Sequence, residues 1–204
     1  MLHRTLVLGA TALTTAALSA CGGGGDRASD AATPTATPTP FSRPVALAGG
    51  TTTLRLDAAT RKLLDFAGVH VTAAGAATAS GRRLSFPVAG GNLRFAPLRG
   101  RIDHRGALRF SAAGHSVEAT NLEVRPGQKM LTADLAGHRV PLLRLDFSLP
   151  LRPPPAGGPV VLPGKAALIG GQAVSLLGDR LGVPVLKAGL PLGSVNVTVR
   201  PAGA

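Results

Sequence analysis

Leu143-Arg144-Leu145-Asp146-Phe147-Ser148-Leu149 alternates apolar and polar side chains without a break. Successive side chains of an extended chain point to opposite faces. The stretch therefore puts Leu143, Leu145, Phe147 and Leu149 on one side and Arg144, Asp146 and Ser148 on the other. One apolar face and one wet face mark an antiparallel sheet, because parallel strands are covered on both sides and read as continuous apolar runs.

Working outward, the same pattern recurs. Upstream, Met130 to Leu135 follows a Pro126-Gly127 turn, and Val117 to Val124 alternates around Glu118 and Glu123. Leu108-Arg109-Phe110 follows an Asp103-His104-Arg105-Gly106 corner, itself preceded by Ile102. Further back, Leu84 with Phe86 and Leu93 with Phe95 bracket Gly90-Gly91-Asn92, which predicts a hairpin turn. Downstream, Pro153-Pro154-Pro155 ends the segment, and Val160 to Leu162, Ala167 to Ile169 and Val195 to Val199 supply the last strands. Strands at such short, regular spacing predict a mainly β fold, an antiparallel sandwich or barrel.

Two short helices interrupt the strands. Leu54-Arg55-Leu56 is a strand end, Asp57 stands where a helix N-cap would, Ala58 to Ala67 holds helix formers, and Gly68 supplies the stop before Val69 and Val71. A shift of 114 residues lays this unit on a second one. Leu54 meets Leu168, Ala59 meets Ala173, Leu63 meets Leu177, Asp65 meets Asp179, and Gly68-Val69-His70-Val71 meets Gly182-Val183-Pro184-Val185. The match predicts an internal strand–helix–strand repeat flanking a central sheet.

The N-terminal region reads differently. His3 and Arg4 precede Leu6 to Ala20, an almost uncharged segment of about 15 residues, which is the layout of a secretory signal and shorter than the roughly 20 residues of a membrane-spanning helix. Leu18-Ser19-Ala20-Cys21 then resembles the lipobox of bacterial lipoproteins. That resemblance implies cleavage before Cys21 and a diacylglyceryl group on its sulfur. Two acyl chains suffice for stable membrane attachment where one does not. Residues 22 to about 50, with Gly22–Gly25 and the run Thr33-Pro34-Thr35-Ala36-Thr37-Pro38-Thr39-Pro40, read as a semi-rigid tether. The expected organisation is a signal over 1–20, a lipidated Cys21 and tether over 21–50, and a β-rich domain over 51–204. The expected place is the outer face of the cell membrane. Cys21 is the sole cysteine, so no disulfide forms within the chain and stability rests on packing.

The charge is strongly basic, with 22 Lys+Arg against 10 Asp+Glu, a formal +12. Nucleic acid is not the expected partner: Tyr and Trp are absent and Phe numbers six, whereas single-strand binders stack bases on aromatic rings. Anionic lipid headgroups, anionic wall polymers or an acidic ligand fit the expected address. The chain holds no Gly-x-Ser-x-Gly elbow, phosphate loop or dinucleotide fingerprint, and an enzyme is not expected. The five histidines do not fall at metal-ligand spacings, so no metal site is expected either.

Gly100-Arg101-Ile102-Asp103-His104-Arg105-Gly106-Ala107-Leu108, followed by Asn121-Leu122-Glu123-Val124-Arg125-Pro126-Gly127, Leu131 and Asp134, resembles the HtaA-type domains of actinobacterial envelopes. The resemblance covers about 50 residues. It implies a β-rich envelope module and, from the best-known members of the family, haem as ligand. Those members use a tyrosine on the iron. This chain has none, so the resemblance leaves histidine as the axial ligand if haem binds. The candidate ligand-binding residues are His104, expected exposed on its corner, with Arg101 and Arg105. Around them lie Arg82, Arg83, Arg94, Arg99 and Arg109, any of which can pair with carboxylates or phosphates.

Overall fold

The computed structural model describes residues 43–148, 158–168, 170–183 and 186–202. The signal segment, Cys21 and the Thr/Pro run lie outside these residues, as do Leu149, Pro153–Pro155, Ile169, Pro184 and Val185. No described helix is long and apolar enough to cross a membrane.

The alternating segment forms the end of a strand, β9 (His138–Phe147), in which Leu143, Leu145 and Phe147 are buried and Arg144 and Asp146 exposed. Around it the chain forms β1 (Val45–Leu56), α1 (Ala58–Phe66), β2 (His70–Ala74), β3 (Thr78–Ser80), β4 (Arg83–Phe95), β5 (Leu98–His104), β6 (Ala107–Ala112), β7 (His115–Arg125) and β8 (Met130–Leu135) before β9, then β10 (Val160–Leu168), α2 (Gln172–Leu181) and β11 (Pro191–Pro201). All strand pairs are antiparallel. Eight strands close a ring in the order β7-β5-β4-β1-β11-β10-β9-β8, with β8 pairing back onto β7. The sequence leaves sandwich and barrel open; this closure makes the fold a barrel. Strands β6 and β2 extend one side of it beyond β7, and β3 adds to β4.

Eight strands leave an interior that side chains just fill. Leu54, Leu84, Leu93, Ile102, Leu142, Leu145, Leu162, Val195 and Val197 are among the buried residues. The enclosed void beside Thr52, Leu54, Phe86, Leu108 and Leu122 is about 20 Å³, room for about one water.

The structure corrects several expectations. Gly90-Gly91-Asn92 is not a turn: β4 runs through it as one strand. The register against β5 shifts between Val88 and Gly90, so the doublet marks a bulge, the other use of glycine inside a strand. The chain reverses instead at Ala96-Pro97, across a cis peptide bond. β1 begins at Val45, inside the stretch read as tether; a bulge between Leu47 and Gly49 hides its alternation. Asp57 occupies the N-cap of α1, but its carboxylate makes no capping bond, and its backbone N–H donates to Leu192 O at 2.9 Å.

The two helical units agree in part. Gly68 and Gly182 both take φ +67° after their helices, and both units pass from a strand into a helix. In the second unit, however, none of the described residues after Gly182 and before β11 forms a strand. The helices also bury different faces: α1 buries Thr60 and Leu64, α2 buries Ala173, Leu177 and Leu181.

Candidate functional site

Strand alternation decides where the candidate residues go. On β5, Ile102 and His104 point into the barrel, and Arg101 and Asp103 point out. His104 is therefore buried, only 8% exposed, and not the exposed corner residue that the sequence suggests. It is the last residue of β5; the turn is Arg105-Gly106. Arg105 is exposed there, and its backbone N–H donates to Pro87 O at 2.9 Å. His104, Arg101 and Arg105 thus occupy three different environments and do not converge.

Both ring nitrogens of His104 are engaged. Nδ1 lies 3.2 Å from Leu122 O, and Nε2 lies 2.6 Å from Thr52 Oγ1. A carbonyl only accepts, so Nδ1 carries the proton and donates, and the Thr52 hydroxyl donates to Nε2. Burial pushes the pKa of His104 down to about 4, against smaller raising effects from the Leu122 carbonyl and the nearby Asp103 charge. The imidazole is neutral at pH 7 and pins β5 to β1 and β7 inside the barrel.

Outside, Arg101 belongs to a cationic concavity. Arg94 on β4 stands directly opposite Arg99 on β5, and Asn92 opposite Arg101. Across β5, Ile102 pairs with Val124, which brings Arg125 of β7 beside Arg101. Arg99, Arg101 and Arg125, with Asn92, Glu123, Gly127 and Gln128, line a cavity of about 510 Å³. Glu123 is its one carboxylate. It pairs with Arg125 and, at 3.2 Å, with Arg139, while Arg101 reaches Asp103 at 3.5 Å. Arg109 is spent on Glu118, and Arg82 donates to Leu56 O at 3.2 Å.

Gln128 also borders a larger open groove of about 950 Å³ over β8, β9, β10 and β11. Lys129, Arg144 and Lys165 line it, with Asp57 and Asp146, over Met130, Ala166, Ala167, Leu168 and Pro191. Lys129 pairs with Asp146 at 3.1 Å. Sequence reasoning found Arg101 and Arg99, but missed Arg125, Lys129, Arg144 and Lys165, because strand order alone brings them together.

His70, His115 and His138 are exposed at the starts of β2, β7 and β9. Among the described residues no three His, Cys, Asp or Glu side chains are grouped as a metal site would require. Asp65 pairs with Arg61 and His70 on the surface, and Asp179 is exposed on α2.

No protein-family model and no curated protein matches the chain. Solved structures do. The C-terminal domain of HtaA from Corynebacterium glutamicum superposes with a TM-score of 0.60 at 14% identity, over 78% of this chain and 99% of that one. A domain-swapped dimer of a histidine-to-alanine variant of the same domain gives 0.51 at 16%, over 70% and 90%. The heme binding protein HtaB from the same organism gives 0.54 at 12%, over 78% and 96%. The ring of eight strands with its three added strands and two helices is thus an HtaA-like fold.

Proposed function

We propose that the chain is a non-enzymatic envelope protein, held at the outer face of the cell membrane through a lipidated Cys21, whose barrel binds an anionic ligand on its outer surface. The observation that carries the binding reading is the convergence of Arg99, Arg101 and Arg125 on one concavity with a single carboxylate among its lining residues. Guanidinium groups hold carboxylates and phosphates through paired N–H donors.

Haem, bound by HtaB, carries two carboxylates and belongs to this ligand class. The two cavities offer its iron no fitting ligand, since neither histidine nor tyrosine lines them. The chain has no tyrosine. Both nitrogens of His104 are bonded, and the void beside its partners Thr52 and Leu122 is about 20 Å³. The 950 Å³ groove offers Met130, but a thioether serves haem iron together with a histidine, and none lines the groove. A porphyrin would be held by its propionates alone.

Titration of the full chain with haemin and with iron-free protoporphyrin tests this. Both should bind, with affinity falling at high salt. Arg101→Ala and Arg125→Ala should each weaken binding by about tenfold, the worth of a lost charged hydrogen bond. Binding of haemin but not of the iron-free ring, or a haemin spectrum lost in a folded His104→Gln variant, would show iron ligation instead. The lipid anchor has its own measurement: the intact chain expressed in a bacterium should partition into detergent with the mass of an added diacylglyceryl group, and Cys21→Ala should stay in the aqueous phase.

One observation favours a second reading. The arginine cavity continues through Gln128 into the groove lined by Lys129, Arg144 and Lys165, a band longer than one compact dianion needs. An anionic wall polymer would fill it. Sedimentation with purified cell wall that is lost at high salt, and lost in a Lys129→Ala, Lys165→Ala double variant, would support that reading.

A further inference from the structure

Two short stretches of facing strands carry one charge pattern in opposite directions. Arg101-Ile102-Asp103 lies on β5 and Glu123-Val124-Arg125 on β7. Ile102 pairs with Val124 and both are buried, so the charged residues on either side of them point outward together. Asp103 stands directly opposite Glu123, and the same register sets Arg101 opposite Arg125. Each is a like-charge pair across a sheet, which is unfavourable on its own. The second pair brings two guanidinium groups together on the 510 Å³ cavity that both arginines line.

Each carboxylate turns along its own strand. Asp103 Oδ2 lies 3.5 Å from Arg101 Nε, and Glu123 Oε1 accepts from Arg125 Nε. The other oxygen of Glu123 accepts from Arg139 of β9 at 3.2 Å. Arg139 is itself fixed by Thr132 Oγ1 at 2.9 Å and by Asp134 at 3.2 Å. Both cavity arginines are thus held at Nε, and among the described residues the terminal nitrogens of neither have a partner. Those nitrogens form an end-on fork of donors, the geometry that takes an oxyanion through two parallel N–H bonds.

We infer that these two forks close on one phosphate monoester, with Arg99, two residues back along β5 and lining the same cavity, as a third cation. Opposed positions on neighbouring strands lie about 4.5–5.5 Å apart at Cβ, so the forks meet on a single compact anion. A phosphate monoester carries close to two negative charges at neutral pH and three acceptor oxygens, enough for both forks at once. A lone carboxylate brings one charge and one pair of oxygens, enough for one fork. The inference rests on the reading that this cavity binds an anion, and it narrows that anion to the phosphoryl class.

Calorimetric titration of the full chain with phenyl phosphate tests it. Phenyl phosphate should bind, and methyl phenyl phosphate and benzoate, each with a single charge, should bind at least about tenfold more weakly, the worth of a lost charged hydrogen bond. Arg101→Lys and Arg125→Lys keep the charge but lose the fork, and each should weaken phenyl phosphate binding by about tenfold with little change in thermal midpoint. Arg83→Lys, on β4 outside the cavity, should leave binding unchanged. A soluble monoester and a lipid headgroup can both present this group. Sedimentation with phosphatidate vesicles that phenyl phosphate reverses would assign the lipid, and phenyl phosphate binding without such sedimentation the soluble compound. Equal binding of the three probes, or lysine variants that bind like the parent, would overturn the inference. Binding of iron-free protoporphyrin without binding of phenyl phosphate would overturn it too while leaving the broader ligand reading standing; binding of neither removes both.

Discussion

Replacing His104 with alanine should destabilise the barrel by about 4 kcal/mol, read as a lower urea midpoint with an unchanged slope. The change leaves the Leu122 carbonyl without its donor, each such orphaned buried group costing about 1–3 kcal/mol, and opens a void in a filled interior. Thr52→Val is the milder probe. It keeps the shape and removes only the hydroxyl that serves Nε2, so its cost should stay near 1–2 kcal/mol. The same histidine sets a pH dependence. Its folded pKa, about 4, lies below the unfolded value near 6.5, so the unfolded chain binds the extra proton between them. Stability is therefore complete above about pH 6.5 and drains away as pH falls toward 4, by about 3 kcal/mol over the whole interval. Urea midpoints measured from pH 7 to pH 4 should show this fall, and His104→Gln should flatten it.

A Gly91→Val substitution should cost about as much or more, while Gly90→Ala, one residue away, should change stability by less than about 1 kcal/mol. Gly91 has φ +125°, and a Cβ there would lie 2.3 Å from the backbone oxygen of Arg101. The neighbouring strand cannot yield without breaking its ladder. Gly100 makes the reciprocal approach, with its Cβ position 2.1 Å from Asn92 O. Gly90 meets nothing within 4 Å. Thermal unfolding of the two variants side by side would separate a close backbone crossing from a merely flexible bulge. Equal behaviour would show that the crossing relaxes easily.

The contrast between these glycines shows what the sequence could and could not disclose. Period-two alternation exposed β9 and β7, because one wet face and one dry face leave a pattern in a single strand, whereas β8 was read from the turn before it and buries Leu131, Thr132 and Ala133 in a row. Gly90-Gly91 looked like a turn because a glycine doublet serves bends and tight crossings alike, and only the partner strand tells them apart. His104 was legible in principle: Arg101-Ile102-Asp103-His104-Arg105 alternates, and His104 shares its parity with buried Ile102. The turn-like composition of Asp-His-Arg-Gly outweighed that signal. Its partner Thr52 was not legible at all, since 52 residues separate the two. The arginine cavity was half legible, Arg99 and Arg101 being neighbours in sequence while Arg125 arrives only through β7.

The seam between β1 and β11 has a consequence for the order of events in the life of the chain. Leu47 pairs with Pro201 and Leu54 with Val195, so the earliest and latest strands are neighbours. No ring can close before β11 has been made, and contacts this distant in sequence form slowly. A newly synthesised copy would stay open along that seam until β11 emerges and pairs with β1.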